Sequence, residues 1–117
     1  MEKQPALYKY HFRPQYHSPK MLIEIFAGVE AEGFERDFLD AIEEIKPRII
    51  DLQDLWMNNE YILTINSDVG SFLFSKDIWD LVFLTSENYQ DCLAKINSLL
   101  IKNDKFEKVE VEFNNYK

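Results

Sequence analysis

The sequence predicts an α+β fold, in which a mainly antiparallel sheet carries two or three helices on one face. Residues 61–85 contain three apolar or alternating stretches separated by short polar turns, a pattern typical of a three-stranded meander. Residues 38–56 and 89–100 instead carry apolar side chains at spacings of three and four, the period of a helix packed on a core. A length of 117 residues without a long linker or internal repeat predicts one domain over residues 1–117.

The N-terminal residues 6–13 alternate between two sides, which predicts a half-exposed strand. Tyr8, Tyr10 and Phe12 would share one side, and Pro14 should end the strand because proline cannot donate a ladder hydrogen bond. Residues 21–26 predict a second strand that could pair with the first as a hairpin. Residues 1–20 are therefore expected to form either a strand of the domain or an N-terminal arm.

An apolar stripe predicts the next elements, although a proline interrupts it. Its members follow steps of four and three: Phe38, Ile42, Ile45, Ile49, Leu52 and Trp56. Pro47 lies inside this stripe, and proline in a helix interior costs about 3 kcal/mol. We therefore expect either one kinked helix or two short helices, the second with Pro47 in its first turn.

The second half of the chain predicts a meander, a helix and a final strand. The meander strands are residues 61–66, 70–75 and 78–85, and the third would direct Trp79, Leu81 and Phe83 inward. Ser86 is a suitable N-cap for a helix that ends near Asn103, and its apolar stripe is Tyr89, Leu93, Ile96 and Leu100. Residues 105–113 alternate again, which predicts a last strand with one exposed face.

The charge of the chain restricts the class of its partners. A net charge of -8 disfavours nucleic acid and anionic lipid, and it favours a basic protein surface. The single cysteine, Cys92, cannot form an internal disulfide, which indicates a reducing compartment. No apolar run reaches the roughly 18 to 20 residues of a membrane span, and the first residues lack the apolar core of a signal peptide. We therefore expect a cytoplasmic protein without membrane contact.

The acidic residues are concentrated in one segment. Residues 21–60 contain eleven acids against three bases, whereas residues 1–20 contain four bases against one acid. On a helix that buries the apolar stripe, four carboxylates would share the solvent face and are our candidates for partner binding: Asp37, Asp40, Glu44 and Asp51. A solvated helix face without any partner is the alternative interpretation.

The sequence contains no clear motif for catalysis, for a cofactor or for a metal. The three glycines match neither a phosphate-binding loop nor a dinucleotide fingerprint, and no serine has the surroundings of a hydrolase nucleophile. His11 and His17 would need two further ligands to hold zinc, so we predict no metal and no cofactor. Asp77 and Asp80, around Trp79, are the best carboxylate pair for acid–base catalysis. A tight turn explains Asp77 at least as well.

The C-terminal half resembles a class of bacterial proteins. It runs from Gly70-Ser71-Phe72 through SKDIWDLVFL to the helix and then FEKVEVEF. In size, acidity, meander, helix and last amphipathic strand, residues 60–117 are similar to small acidic α+β immunity proteins of toxin–immunity pairs. The resemblance implies a stoichiometric inhibitor that binds a toxin domain, often a basic nuclease, and blocks its active site or a nearby surface. Such proteins share no catalytic residues, so the resemblance implies no particular site.

Three hypotheses for function follow from the sequence. The first is a protein-binding module without enzymatic activity, an immunity-type inhibitor whose acidic face attracts a basic toxin and which one or two exposed aromatics anchor. The sequence does not identify these aromatics, although Trp56 and Tyr116 lie near segment ends. The second is a small enzyme that uses Asp77 and Asp80. The third is a structural or oligomeric subunit, in which residues 109–113 pair with another copy at a sheet edge.

Overall fold

A computed structural model describes residues 6–55 and 60–112 of the chain. Seven strands, two α-helices and one short 3-10 helix form in this part. In chain order they are β1 (Tyr8–Pro14), β2 (Met21–Ala27), α1 (Phe34–Ala41), the 3-10 helix (Glu43–Ile45), β3 (Arg48–Leu55), β4 (Glu60–Ser67), β5 (Gly70–Lys76), β6 (Val82–Thr85), α2 (Gln90–Lys102) and β7 (Phe106–Lys108).

All seven strands belong to one sheet, in the order β3-β4-β5-β6-β2-β1-β7. Neighbouring strands are antiparallel except β1 and β7, which are parallel. The predicted α+β class with a mainly antiparallel sheet is confirmed, as are the β1–β2 hairpin and the β4–β5–β6 meander. Strands β3 and β7 form the two edges of the sheet.

One face of the sheet and the two helices enclose the core. Strand residues on this face alternate with exposed or half-exposed ones, and α1 and α2 add their own apolar stripes. Aromatic rings link the layers: Tyr8 packs edge-on against Phe34 at 5.1 Å between centroids, and Phe38 lies 5.5 Å from Phe74. Residues buried in this core include Ile23, Ile65, Leu84, Leu93, Ile96 and Leu100.

The expected second helix is wrong: the segment after Pro47 is strand β3. The chain leaves helical geometry at Ile42, and Lys46 adopts a left-handed conformation with φ of 51°. Proline disfavours helix for the residue before it, so the 3-10 helix that follows α1 does not continue past Lys46. The apolar spacing that suggested a helix has another cause. The register of β3 on β4 shifts between Ile49 and Asp51, an irregularity that adds one residue and brings Ile49 and Leu52 opposite core-side residues of β4.

The third meander strand begins later than predicted. It starts at Val82, and Val82 and Leu84 are buried instead of the expected alternate set. The expectation that Trp79 packs inward is wrong, since its side chain is 73% exposed. A turn at residues 77–81 precedes the strand, and Asp80 adopts a left-handed φ of 57° in it.

The last strand is also shorter than predicted. Strand pairing with β1 covers only Phe106–Lys108, after which Val109 N donates one further hydrogen bond to the carbonyl of Tyr10. Residues 109–112 form no strand. The strand that was expected to pair with another copy, residues 109–113, is therefore absent from its described part. Phe113, at the end of that prediction, lies outside the described residues.

Candidate functional site

The four carboxylates predicted to bind a partner lie in three different elements. Asp37 and Asp40 belong to α1, Glu44 to the 3-10 helix and Asp51 to β3. The expectation of one shared helix face is wrong, because α1 ends before Glu44 and because Asp51 belongs to a strand. Asp40, Glu44 and Asp51 are exposed, whereas Asp37 is only 7% exposed.

Asp37 takes part in a buried hydrogen-bond network that ties α1 to the sheet. Tyr8 Oη donates to Asp37 Oδ2 over 2.5 Å, and Lys105 Nζ donates to Oδ1 over 3.0 Å. The hydrogen bond from Tyr8, and then that from Lys105, hold the pKa of Asp37 below its usual value despite burial. Burial, reinforced by the Asp37 carboxylate, raises the pKa of Tyr8 to about 12. Asp37 therefore stabilises the fold and is not accessible to a partner.

The remaining acids of this region are on the surface. Residues 30–54 expose eight carboxylates against three basic side chains. Two of the eight have a direct partner: Lys95 Nζ lies 2.5 Å from Glu44, whose pKa it lowers, and Glu35 accepts a hydrogen bond from Tyr61. The other six form no ion pair within residues 6–55 and 60–112: Glu30, Glu32, Asp40, Glu43, Asp51 and Asp54. We call these six the acidic surface.

Strand β3 adds exposed apolar side chains to the same region. Ile49 is 50% exposed, Ile50 60% and Leu52 59%. We call these three residues the edge patch. Isolated apolar residues are common on protein surfaces, but three within four positions of one edge strand form a continuous strip. Acidic and apolar groups that could meet a partner therefore occur together on β3, where Asp51 lies between Ile50 and Leu52 in sequence and faces the other side of the sheet from Ile49 and Leu52.

The edge patch was missed by sequence reasoning. Its residues fit the apolar stripe of a helix, so they were expected in the core. Two signals could have found it. Pro47 marks a boundary, and the β-branched pair Ile49-Ile50 that follows favours a strand.

Asp77 and Asp80 lie on an exposed turn and serve the backbone and a neighbouring lysine. Asp77 Oδ1 accepts hydrogen bonds from the backbone N–H groups of Trp79 and Leu81, at 2.9 and 3.0 Å. Asp80 Oδ1 lies 2.9 Å from Lys76 Nζ. The two carboxylates thus shape the β5–β6 connection, as expected of an aspartate that opens a turn.

A shallow depression of about 170 Å³ lies at the end of the sheet face that the helices leave uncovered. Thr64, Leu73, Thr85 and Tyr89 contribute to its lining. Asp77 and Asp80 do not line it. Neither the acidic surface nor the edge patch contributes to it.

The histidines are placed apart from any metal-binding cluster. His11 Nδ1 lies 2.8 Å from the carbonyl oxygen of Val109, and the imidazole stacks on Phe26 at 4.3 Å. His17 is on an exposed turn with φ of 57°. Within the described part of the chain, no three His, Cys, Asp or Glu side chains are grouped so that they could hold a metal ion. Trp56 and Tyr116, the aromatics considered as anchors, lie outside the described residues.

Comparison with known proteins gives this site no precedent. No protein family, curated protein or solved structure matches the chain. Neither of the helices in the described ranges is long and apolar enough to cross a membrane.

Proposed function

We propose that this chain is a protein-binding module, most specifically an immunity-type inhibitor that neutralises a basic bacterial toxin domain. The observation that carries the proposal is the combination of the acidic surface and the edge patch within one continuous segment, residues 30–54. Six exposed carboxylates without an ion pair create a negative potential, and three exposed apolar side chains offer a surface that gains free energy when it is covered.

The two parts of the region would act at different stages of association. The carboxylates attract a cationic domain from a distance, which accelerates encounter and makes it sensitive to salt. The edge patch is then desolvated in contact with the partner and slows dissociation. Binding, rather than catalysis, is the proposed activity, and the turn-forming contacts of Asp77 and Asp80 favour this choice.

A cytoplasmic location belongs to the same proposal. The single cysteine, Cys92, leaves the fold independent of any internal disulfide, as is usual for proteins of a reducing compartment. An immunity-type inhibitor in the cytoplasm would meet a toxin that has entered, or has been made in, the same cell.

A growth assay tests the proposed function. We expect the genes beside this one to include one for a large secreted protein with a basic C-terminal domain, and that domain is produced from an inducible promoter, with and without the chain. We expect growth arrest by the domain alone, rescue by the chain and a complex of one copy of each. Arrest that persists while the folded chain is abundant would overturn the proposal.

Charge variants then test the role of the acidic surface. A variant with Asp40→Asn, Glu43→Gln, Asp51→Asn and Asp54→Asn removes four negative charges from this region. We expect an association rate at least about tenfold lower at low salt, and a weaker dependence of that rate on salt. The matched control removes four exposed charges elsewhere, with Asp91→Asn, Asp104→Asn, Glu107→Gln and Glu112→Gln. Equal effects of the two variants would show that only net charge matters and would contradict a localised surface.

A further inference from the structure

Strand β3 pairs with another described strand along one side only. Its inner side pairs with β4 over seven register positions, from Arg48 opposite Asn66 to Leu55 opposite Glu60. Its outer side has no neighbouring strand among the described residues. An edge strand of eight residues exposes a row of backbone N–H and C=O groups that can pair with another chain.

The usual protections of a sheet edge are weak in β3. Edge strands commonly avoid unwanted pairing by being very short, by carrying lysine or proline, or by a bulge that twists the edge away. The sequence of β3, RIIDLQDL, contains neither lysine nor proline and is the joint longest in the sheet. Its protective features are the irregularity near Ile50 and the three charged side chains Arg48, Asp51 and Asp54, and they leave the edge patch exposed.

From these observations we infer that β3 is where the partner binds, by adding an extended segment of its own chain as a further antiparallel strand. This inference rests on the proposed function, and it specifies the mode of binding. Backbone hydrogen bonds along β3 would supply affinity, and the side chains of β3 would select the segment.

The charges on β3 favour a basic segment over a second copy of this chain. Strand β3 carries two aspartates, Asp51 and Asp54, against one basic residue, Arg48, so two copies, each with a net charge of -8, would meet across an interface with excess negative charge. A segment with lysine or arginine opposite Asp51 pairs opposite charges there instead.

The register on β4 defines the pattern that the segment needs. Ile49 and Leu52 lie opposite core-side residues of β4, Ile65 and Leu63, whereas Asp51 lies opposite Thr64 on the other face. Side chains directly opposite each other in antiparallel strands share a face. The segment should therefore place apolar residues toward the helix-covered face, beside Ile49 and Leu52, and a basic residue between them toward the other face.

A peptide titration followed by NMR tests this mode without the toxin. The probe is a capped eight-residue peptide of alternating lysine and valine, and the comparison peptide replaces each lysine by glutamate. We expect the lysine peptide, at up to millimolar concentration, to shift the backbone amide signals of β3 and to slow their hydrogen exchange. The glutamate peptide should leave them unchanged. No shift with either peptide, or equal shifts with both, would overturn the inference.

Edge variants separate strand addition from general attraction. Ile49→Lys with Leu52→Lys places lysines on the edge, and the control, Leu73→Lys with Ile101→Lys, adds the same charge at residues 40% and 54% exposed elsewhere. We expect the edge variant to bind the lysine peptide about tenfold more weakly than the control. Equal binding would contradict the inference, as would self-association of the unmodified chain through β3 in sedimentation experiments. Failure of growth rescue with normal peptide binding would instead overturn the proposed function alone.

Discussion

The two edges of the sheet differ in how closely the helices pack on them. At one edge, β7 has three residues, and α2 packs against it, so Phe106 is only 5% exposed. At the other edge, β3 has eight residues, and neither helix packs extensively on it, so Leu52 is 59% exposed although it lies on the core side of the sheet. Burial in this fold therefore follows helix coverage rather than strand length. The edge without coverage is the one with groups available to a partner.

Truncation of one apolar side chain at each edge should give the largest contrast in stability. Phe106 packs on Tyr8 with ring centroids 4.9 Å apart, so Phe106→Ala should lower the free energy of unfolding by about 3 to 5 kcal/mol. Leu52→Ala should change it by about 0.5 kcal/mol or less, because its side chain already meets water. Urea unfolding of both variants measures the difference. Similar losses at the two edges would mean that β3 is part of the core.

Two carboxylates, one near each edge, should contribute differently to the pH dependence of the free energy of unfolding. Asp37 is bound to Tyr8, on β1, and to Lys105, beside β7, and loss of its charge in Asp37→Asn should cost about 1 to 3 kcal/mol at neutral pH. Since the folded-state pKa of Asp37 is depressed, its contribution is present above the usual value of 3.8 and is lost as pH falls through the lower folded pKa.

Urea unfolding at several pH values between 7 and 2 tests this contribution. The unmodified chain should lose more stability than Asp37→Asn across the acid range below about pH 5. Asp51→Asn on β3 is the matched control, and it should follow the unmodified chain because no buried donor holds Asp51. Parallel curves for the unmodified chain and Asp37→Asn would show that the buried network does not favour the charged carboxylate.

The difference between the edges also explains which parts of the fold the sequence could predict. Strands and helices in contact with the core, such as β4, β5 and α2, keep the spacing that burial imposes, so periodicity located them. Strand β3 has few contacts with the core, so burial does not impose a regular spacing on its apolar residues. An irregularity there spaces Ile49 and Leu52 three residues apart on one face, and this spacing imitates a helix. Pro47 was the better indicator, since its steric effect on Lys46 is local and does not depend on packing.

The candidate site could be predicted only in part for a similar reason. Composition located the acids in residues 21–60, but it could not separate Asp37, buried with Tyr8 and Lys105, from exposed Asp51. Those partners lie 29 and 68 positions away in the chain, and only the fold brings them together. Trp79 was misplaced because the turn in which the Asp77 carboxylate accepts hydrogen bonds from the backbone N–H groups of Trp79 and Leu81 precedes β6.

The smallest effect on stability should come from replacing two residues of the edge patch together. Threonine is β-branched and suits a strand, and both side chains it replaces are already largely exposed, so Ile49→Thr with Leu52→Thr should change the free energy of unfolding by about 0.5 kcal/mol or less. The same change removes much of the apolar strip beside the unpaired backbone of β3, and the concentration at which the chain precipitates should rise. Urea unfolding and solubility measurements on the same preparation separate the two effects. A large loss of stability would show that the fold itself needs Ile49 and Leu52. Unchanged stability with improved solubility would show that these two side chains lower the solubility of the free protein without stabilising its fold, as expected of residues that serve a partner.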